Sequence, residues 1–227
     1  MTSPLTTEKD LSKAVRISWF GHAMFLFEDG AGHRLVTDPY ADYVGYPLPD
    51  VAADVVLVSH DHADHSNVGL VKENPAVLSS AGAQELGGVT VTGFSTFHDE
   101  RRGAERGPNV IFRWGMQGLT FVHLGDLGHM LEGNLVKELS GADILFVPVG
   151  GTFTIDDAGA EEVVKMLGPR IAVPMHYRTE ACGFPVNTEE PFAARFDHVE
   201  RTGKQPVYIS REDLPEPTLI LIMDYIA

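Results

Sequence analysis

The segment Val55–His65 is the strongest constraint on how this chain can fold. Val55–Ser59 is a continuous run that reads as a buried strand. It ends directly in His60-Asp61-His62-Ala63-Asp64-His65. Extended residues two apart point the same way, so His60 and His62 can grip one ion. The turn that follows sends Asp64 and His65 in another direction, where they can grip a second ion nearby. Imidazole and carboxylate suit Zn, Mn or Fe, and carboxylate bridging suits a pair of metals.

The same pattern recurs along the chain. Arg34–Thr37 ends at Asp38, and Val89–Thr92 leads through Gly93–Phe97 to His98. Leu119–His123 leads through Leu124-Gly125 to Asp126, and Ile171–Pro174 leads to His176. In α/β sheets ligands gather beyond the carboxyl ends of strands. Asp38 precedes Pro39 and reads as a residue that orients a ligand histidine from behind.

Between these points the chain reads as short strands, then as alternating strands and helices. Val15–Phe20, Met24–Glu28, Ala76–Ser79, Pro206–Ile209 and Thr218–Met223 are further strand candidates. Val110–Trp114 and Leu119–His123 form a hairpin about Gly115–Gly118. Val68–Glu73 and Leu135–Leu139 read as short helices. Ile144–Val147, a helix over Asp156–Leu167 capped by Thr154 or Asp156 and stopped by Gly168-Pro169, and Ile171–Pro174 make a βαβ unit. Together these elements predict an α/β sandwich with helices outside the sheets.

The length of 227 residues fits a single domain over 1–227, with 1–13 polar and frayed. No apolar run approaches the ~18 residues of a membrane span, so no integral membrane association is expected. The N-terminus lacks a basic start followed by an apolar stretch, and Cys182 is the only cysteine, which points to a reducing cytoplasm. The net charge of −15 repels a nucleic-acid duplex or an anionic membrane. The expected partner is a small-molecule substrate.

The remaining polar residues divide. His22 follows Gly21 between two strands and reads equally as a turn residue or a pocket residue. His123 reads as a hydrogen-bonded core histidine, His129 as close enough to the rim to reach substrate, and His33 and His198 as surface residues. Arg101, Arg102 and Arg106 follow His98 in a loop where Asp99, Glu100 and Glu105 offer them partners. Arg178, two residues beyond His176, is better placed to meet an anionic substrate.

With these residues in place, the sequence resembles the metallo-β-lactamase superfamily. The matching motifs are Asp38, His60-x-His62-x-Asp64-His65, His98, Asp126 and His176, in the superfamily's order, over about residues 15–178. More narrowly, Gly21-His22-Ala23, Thr37-Asp38-Pro39, His123-Leu124-Gly125-Asp126 and Pro174-Met175-His176-Tyr177 look like a branch of metal-dependent hydrolases that includes L-ascorbate-6-phosphate lactonase. The resemblance implies an α/β (α+β) fold, a four-layer αββα sandwich with the metal site at one edge of the β sandwich. It also implies two divalent metal ions, Zn or Mn, with Fe an alternative. His60, His62 and His98 would hold the first, Asp64, His65 and His176 the second, and Asp126 would bridge them.

Departures from sister families narrow the expected activity. One major class of zinc β-lactamases has arginine where His65 stands and cysteine where Asp126 stands. Flavodiiron proteins have glutamate at the position of His62. Glyoxalase II adds a helical C-terminal domain, for which the segment after His176 is too short. The expectation is therefore a hydrolase that uses a hydroxide bridging two metals to cleave a small ester, lactone or phosphodiester. Asp64 or Asp126 would orient the nucleophile or shuttle a proton. The alternatives are a phospholipid or nucleotide phosphodiesterase, a non-catalytic metal-dependent binding protein, and an oxidoreductase, against which the lack of a flavin domain counts. Family members often assemble, which allows a homo-oligomer. Residues 180–227 carry no motif and are expected to add a closing strand pair or an interface.

Overall fold

A computed structural model describes residues 11–203 and 206–226. Residues 1–10 of the expected frayed segment lie outside the described residues, while Leu11–Lys13 forms a short 3-10 turn. The strands in chain order are β1 (Val15–Gly21), β2 (Met24–Asp29), β3 (Arg34–Thr37), β4 (Val55–Leu57), β5 (Ala76–Leu78), β6 (Gly82–Leu86), β7 (Val89–Phe97), β8 (Pro108–Met116), β9 (Leu119–His123), β10 (Ile144–Pro148), β11 (Ile171–Met175), β12 (Val199–Arg201), β13 (Val207–Ile209) and β14 (Leu219–Ile222). The helices are α1 (Asn134–Leu139), α2 (Asp157–Leu167) and α3 (Glu190–Ala193). One sheet has the order β13-β1-β2-β3-β4-β5 and the other β12-β14-β11-β10-β9-β8-β7-β6.

The two sheets face each other across an aromatic seam. Phe27 of β2 meets Trp114 of β8 edge-on at 4.9 Å, Phe146 of β10 at 5.3 Å and Phe121 of β9 at 5.5 Å. Aromatic pairs favour such tilted contacts, and each ring buries a large apolar area. Strand alternation sends Phe25 and Phe27 into this seam. It sends Met24 and Leu26 the other way, into a second cluster with Val36, Val56, Tyr40, Val44 and Tyr46. The centre of the smaller sheet is thus buried on both faces, which is why β4 reads as a continuous apolar run.

The outer layers differ in kind. On the larger sheet α2 covers β10 with Ala160, Val163, Val164 and Leu167, an i, i+3, i+4, i+7 stripe. Asp156 caps α2 by accepting the Gly159 N–H at 2.9 Å, and Gly168 ends it at φ 61°. On the smaller sheet the covering residues come from 3-10 turns at Asp42–Val44 and Val68–Leu70 and from the loops around them. The sandwich is as expected, but the layer over the smaller sheet is irregular backbone rather than α-helix among the described residues.

Several local expectations are corrected. The Val68–Glu73 helix shrinks to a 3-10 turn. Strand β7 continues past Thr92 to Phe97, so it delivers His98 directly. Strand β6 was not anticipated, because Gly82–Leu86 is largely exposed and carries no apolar signal. The two closing strands do not pair with each other. Strand β13 pairs antiparallel with β1, while β14 lies parallel to β11 and β12 in the other sheet. The βαβ unit is as expected, with β10 and β11 parallel neighbours. So is the β8–β9 hairpin, which turns through Gln117 and Gly118 at φ 51° and 73°.

The topology sets the site. Strand β7 is antiparallel to β8 and β8 to β9, so β7 runs the same way as β9, β10 and β11. Strands β3 and β4 are parallel in the other sheet. Each of these strands except β10 leads at its carboxyl end toward one of the polar residues singled out above. No helix among the described residues is long and apolar enough to cross a membrane.

Candidate metal centre

Asp126 is the hub. Its Oδ2 lies 3.1 Å from His98 Nε2, 3.1 Å from His176 Nε2, 3.4 Å from His65 Nε2 and 4.0 Å from His60 Nε2. His60, His65, His98, His176 and Asp126 are all buried. Three groups of potential ligand atoms form around it, each within 4.8 Å: His60, His62 and His98; His60, His65 and Asp126; and His22, Asp64, His65 and His176. All seven ligands expected from the sequence therefore converge, and His22 joins them.

Local backbone geometry makes the convergence possible. Gly125 stands at φ 55°, and a Cβ there would run into Asn109 Oδ1 and Ser59. Asp126 is thereby brought tight against β8, where its N–H donates to Asn109 Oδ1 at 3.0 Å. Asn109 itself donates to the Leu124 carbonyl at 2.9 Å and to Thr96 Oγ1 at 2.8 Å. His22 (φ 54°), Asp38 (φ 38°) and His176 (φ 53°) are non-glycine residues in the left-handed region. Such strain collects at functional sites, held by the surrounding structure. Just before His22 the β1–β2 register shifts between Trp19 and Gly21, a bulge at the end of β1.

Asp38 supports the centre from behind. It accepts the Ser59 N–H at 2.7 Å, the Ser59 hydroxyl at 2.6 Å and His65 Nδ1–H at 3.0 Å. The last bond leaves His65 Nε2 aimed at Asp126. Burial opposes the charged form of His65, but the carboxylates of Asp126 and Asp38 outweigh it and raise its pKa well above the usual histidine value. Burial likewise opposes ionised Asp126, yet His176 and His65 hold its carboxyl well below the usual range. Burial, reinforced by neighbouring histidines, pushes both His22 and His60 down to about 3. Neutral imidazole is the form that binds metal, so His22 and His60 already stand in the ligand form, whereas His65 would release a proton as metal binds.

The residues fit a metal. Buried His60 Nε2 and Asp126 Oδ1 have no hydrogen-bond partner among the described residues, and such orphans are rare. Four imidazole nitrogens directed at one carboxylate oxygen cannot all be satisfied by hydrogen bonds. Cations between them would satisfy all of them, and this mixed nitrogen and oxygen donor set suits Zn, Mn or Fe.

A cavity of about 510 Å³ opens beside His98, lined in part by Asp99, Arg101, Arg106, Phe153 and Asp156. Asp99 shapes its loop by accepting the backbone N–H groups of Arg101 (2.7 Å), Gly103 (2.9 Å), Glu105 (3.0 Å) and Arg106 (2.8 Å). Desolvation pushes the Asp99 carboxyl up, but these four donors prevail and hold it at about 2. Arg106 donates to the Thr152 carbonyl at 3.2 Å and lies over the Phe153 ring at 5.7 Å. Phe184 bridges from Phe153 (6.3 Å) to Tyr43 (6.2 Å) and to His22 (5.5 Å), giving the centre an aromatic flank.

Other sequence candidates fall elsewhere. Arg178 is exposed and does not line this cavity. His129 does line it, but its Nδ1 bonds the Met130 carbonyl at 2.8 Å and its Nε2 accepts the Phe97 N–H at 3.3 Å. His123 is the expected core histidine, bonded to the Ala23 carbonyl at 3.1 Å. His33 pairs with Asp29 at the half-exposed edge. Nothing in the sequence marks Asn109 or Ser59. Neither is a metal ligand by type, and only their position between two ligand-bearing loops gives them a role.

Comparison with known proteins agrees with the fold. The family model described as beta-lactamase superfamily domain matches residues 16–176. The chain belongs to the metallo-β-lactamase superfamily. Within it, the chain is 30% identical over 225 residues to a UPF0173 metal-dependent hydrolase of Thermofilum pendens, covering 86% of this chain and 95% of that one. A relative of the same name from Archaeoglobus fulgidus is 29% identical over 211 residues, covering 78% of this chain and 87% of that one. Among solved structures, a Thermotoga maritima protein described as a Zn-dependent hydrolase of the superfamily matches with a TM-score of 0.76 and 38% identity. That match covers 92% of this chain and 98% of the other.

Proposed function

We propose that this chain is a single-domain hydrolase that works with two divalent metal ions on a small ester or lactone. The observation that carries this reading is the set of four histidine Nε2 atoms gathered at 3.1 to 4.0 Å around the single oxygen Asp126 Oδ2. His60, His62 and His98 would hold one metal, Asp64, His65 and His176 the other, and Asp126 would serve both. Bound there, divalent metal would lower the pKa of water to about 7 and would polarise the bond to be cleaved.

The chain's own residues supply the rest. Asp38 fixes the His65 tautomer. Asp126, held ionised, offers a second oxygen that has no hydrogen bond of its own. Asp64, half-buried beside His22, would take and return a proton.

The cavity lining bears on substrate charge. Asp99, Glu100, Glu105 and Asp156 stand against Arg101 and Arg106. Glu105 lies 3.2 Å from Arg101 and 3.8 Å from Arg106, so both guanidinium groups already have a carboxylate. A polyanion is repelled there, which favours an ester or lactone with at most one negative charge over a phosphodiester.

The test is metal content followed by turnover. Protein purified without chelator or histidine tag should carry about two equivalents of metal and hydrolyse lactones or carboxylic esters faster than phosphodiesters. Turnover restricted to phosphodiesters would shift the reading to that class. Metal without turnover on any ester would make the chain a binding protein, and two irons with redox-active spectra would make it an oxidoreductase.

A further inference from the structure

The two halves of the centre are unequal. The group of His60, His62 and His98 offers three ligand atoms, and His62 is exposed. The other group offers four, from His22, Asp64, His65 and His176, three of them on buried side chains.

His22 is placed firmly. Its Nε2 lies 3.1 Å from His65 Nε2 and 3.3 Å from Asp64 Oδ2, and its ring centroid is 4.2 Å from that of His176. Its carbonyl accepts the Trp19 indole N–H at 3.2 Å and the His176 backbone N–H at 3.1 Å. The second bond ties the β1–β2 turn to the residue that follows β11, so two ligand-bearing loops from opposite sheets are fastened to each other. The His22 side chain sends its ring nitrogen into a group of ligand atoms, from a strained backbone and with almost no exposure.

We propose that His22 is a ligand of the second metal position, and that this four-sided position binds its ion more tightly than the three-histidine position and fills first. The proposal rests on the two-metal reading above and adds a ligand and an order of loading. Ligand count and burial set the order. Each added protein donor replaces a water, and a preformed buried set leaves less side-chain freedom to lose on binding than one that includes exposed His62. The chain would hold one resident ion and exchange the other more readily.

Metal retention tests this apart from activity. Wild-type protein, H22A and H62A are loaded with Co(II), dialysed against a weak chelator, and analysed for cobalt per chain. Wild type and H62A should keep about one equivalent. H22A should lose it, with an apparent Kd weaker by a factor on the order of 10–100, as for residues that support a metal site. Retention of that equivalent by H22A, or its loss from H62A instead, would overturn the assignment. Anomalous diffraction from wild-type crystals grown with one equivalent gives an answer that does not depend on a variant folding. A single peak beside His22 supports the proposal, and a single peak beside His62 defeats it. Wild-type protein that binds no metal at all would defeat the two-metal reading itself, and this assignment with it.

Discussion

His65 Nδ1 donates to Asp38 Oδ2 at 3.0 Å, and this one bond joins the end of β3 to the ligand cluster after β4. Because Asp38 also takes the backbone N–H and the hydroxyl of Ser59, it fixes both ends of the turn that carries the cluster. Removal of its charge should therefore act on the metal before it acts on the fold. Asp38→Asn should weaken metal binding by roughly 10–100-fold. It should lower stability by about 1–3 kcal/mol, the cost of leaving buried donors poorly matched. Competition with a metal indicator and urea unfolding measure the two effects, and an unchanged metal affinity would end the orienting role.

Asn109 makes a complementary prediction. Its amide holds the Asp126 N–H, the Leu124 carbonyl and Thr96 in one buried network. Asn109→Ala strands the Asp126 N–H and the Leu124 carbonyl and takes one of two bonds from the Thr96 hydroxyl, without removing a ligand. The expected loss is about 1–3 kcal/mol or more in denaturant unfolding, with metal stoichiometry retained when the variant is folded. Wild-type stability for this variant would show that the network is not needed to seat Asp126.

How the site could be seen in the sequence, and Asn109 could not, has a physical explanation. Metal chemistry demands particular side chains, so His60, His62, Asp64, His65, His98, Asp126 and His176 announce themselves by type and by their place after apolar runs. Strands β3, β4, β10 and β11 were legible because sheets buried on both faces need apolar runs. Support residues obey no such demand. Asn109 and Ser59 act through position alone, and position is fixed by pairings such as β7 with β8 that link residues far apart in sequence. Strand β6 is mostly exposed and was invisible for the same reason that helped elsewhere, since it has no apolar face to show. His22 remained ambiguous because its meaning depends on the approach of His176, more than a hundred residues later.

Asp99 predicts a pH effect outside the metal cluster. Its carboxyl is held at about 2 in the folded chain, against an ordinary value of 3.8. A depressed carboxylate pKa stabilises the fold above the unfolded value, and that contribution disappears as the pH falls from about 3.8 through about 2. Asp99→Ala should thus reduce stability at pH 5 to 7 and narrow the gap to wild type as the pH drops through this window. Thermal melting at stepped pH gives the comparison. A gap that stays constant down to pH 2 would mean that the loop does not depend on the charge of Asp99.

Two arginines separate the candidate ways of meeting substrate. Arg178 follows the candidate ligand His176 closely in sequence, which would suit an anionic group, but it is exposed and away from the cavity lining. Arg106 lies in the lining, stacked over Phe153 and bonded to the Thr152 carbonyl. For a substrate held in this cavity it would contribute both packing and charge, because a guanidinium over a ring is worth ~0.5–1 kcal/mol at an exposed site and more when desolvated. Arg106→Ala should therefore raise KM for the best ester or lactone by roughly 3–10-fold, each tenfold being about 1.4 kcal/mol. It should leave kcat within about twofold, since uniform binding is lost without a change at the reacting atoms. Arg178→Ala should change neither constant. If Arg178→Ala raised KM and Arg106→Ala did not, substrate would have to approach from the His176 side of the centre, and the cavity beside His98 would lose its role.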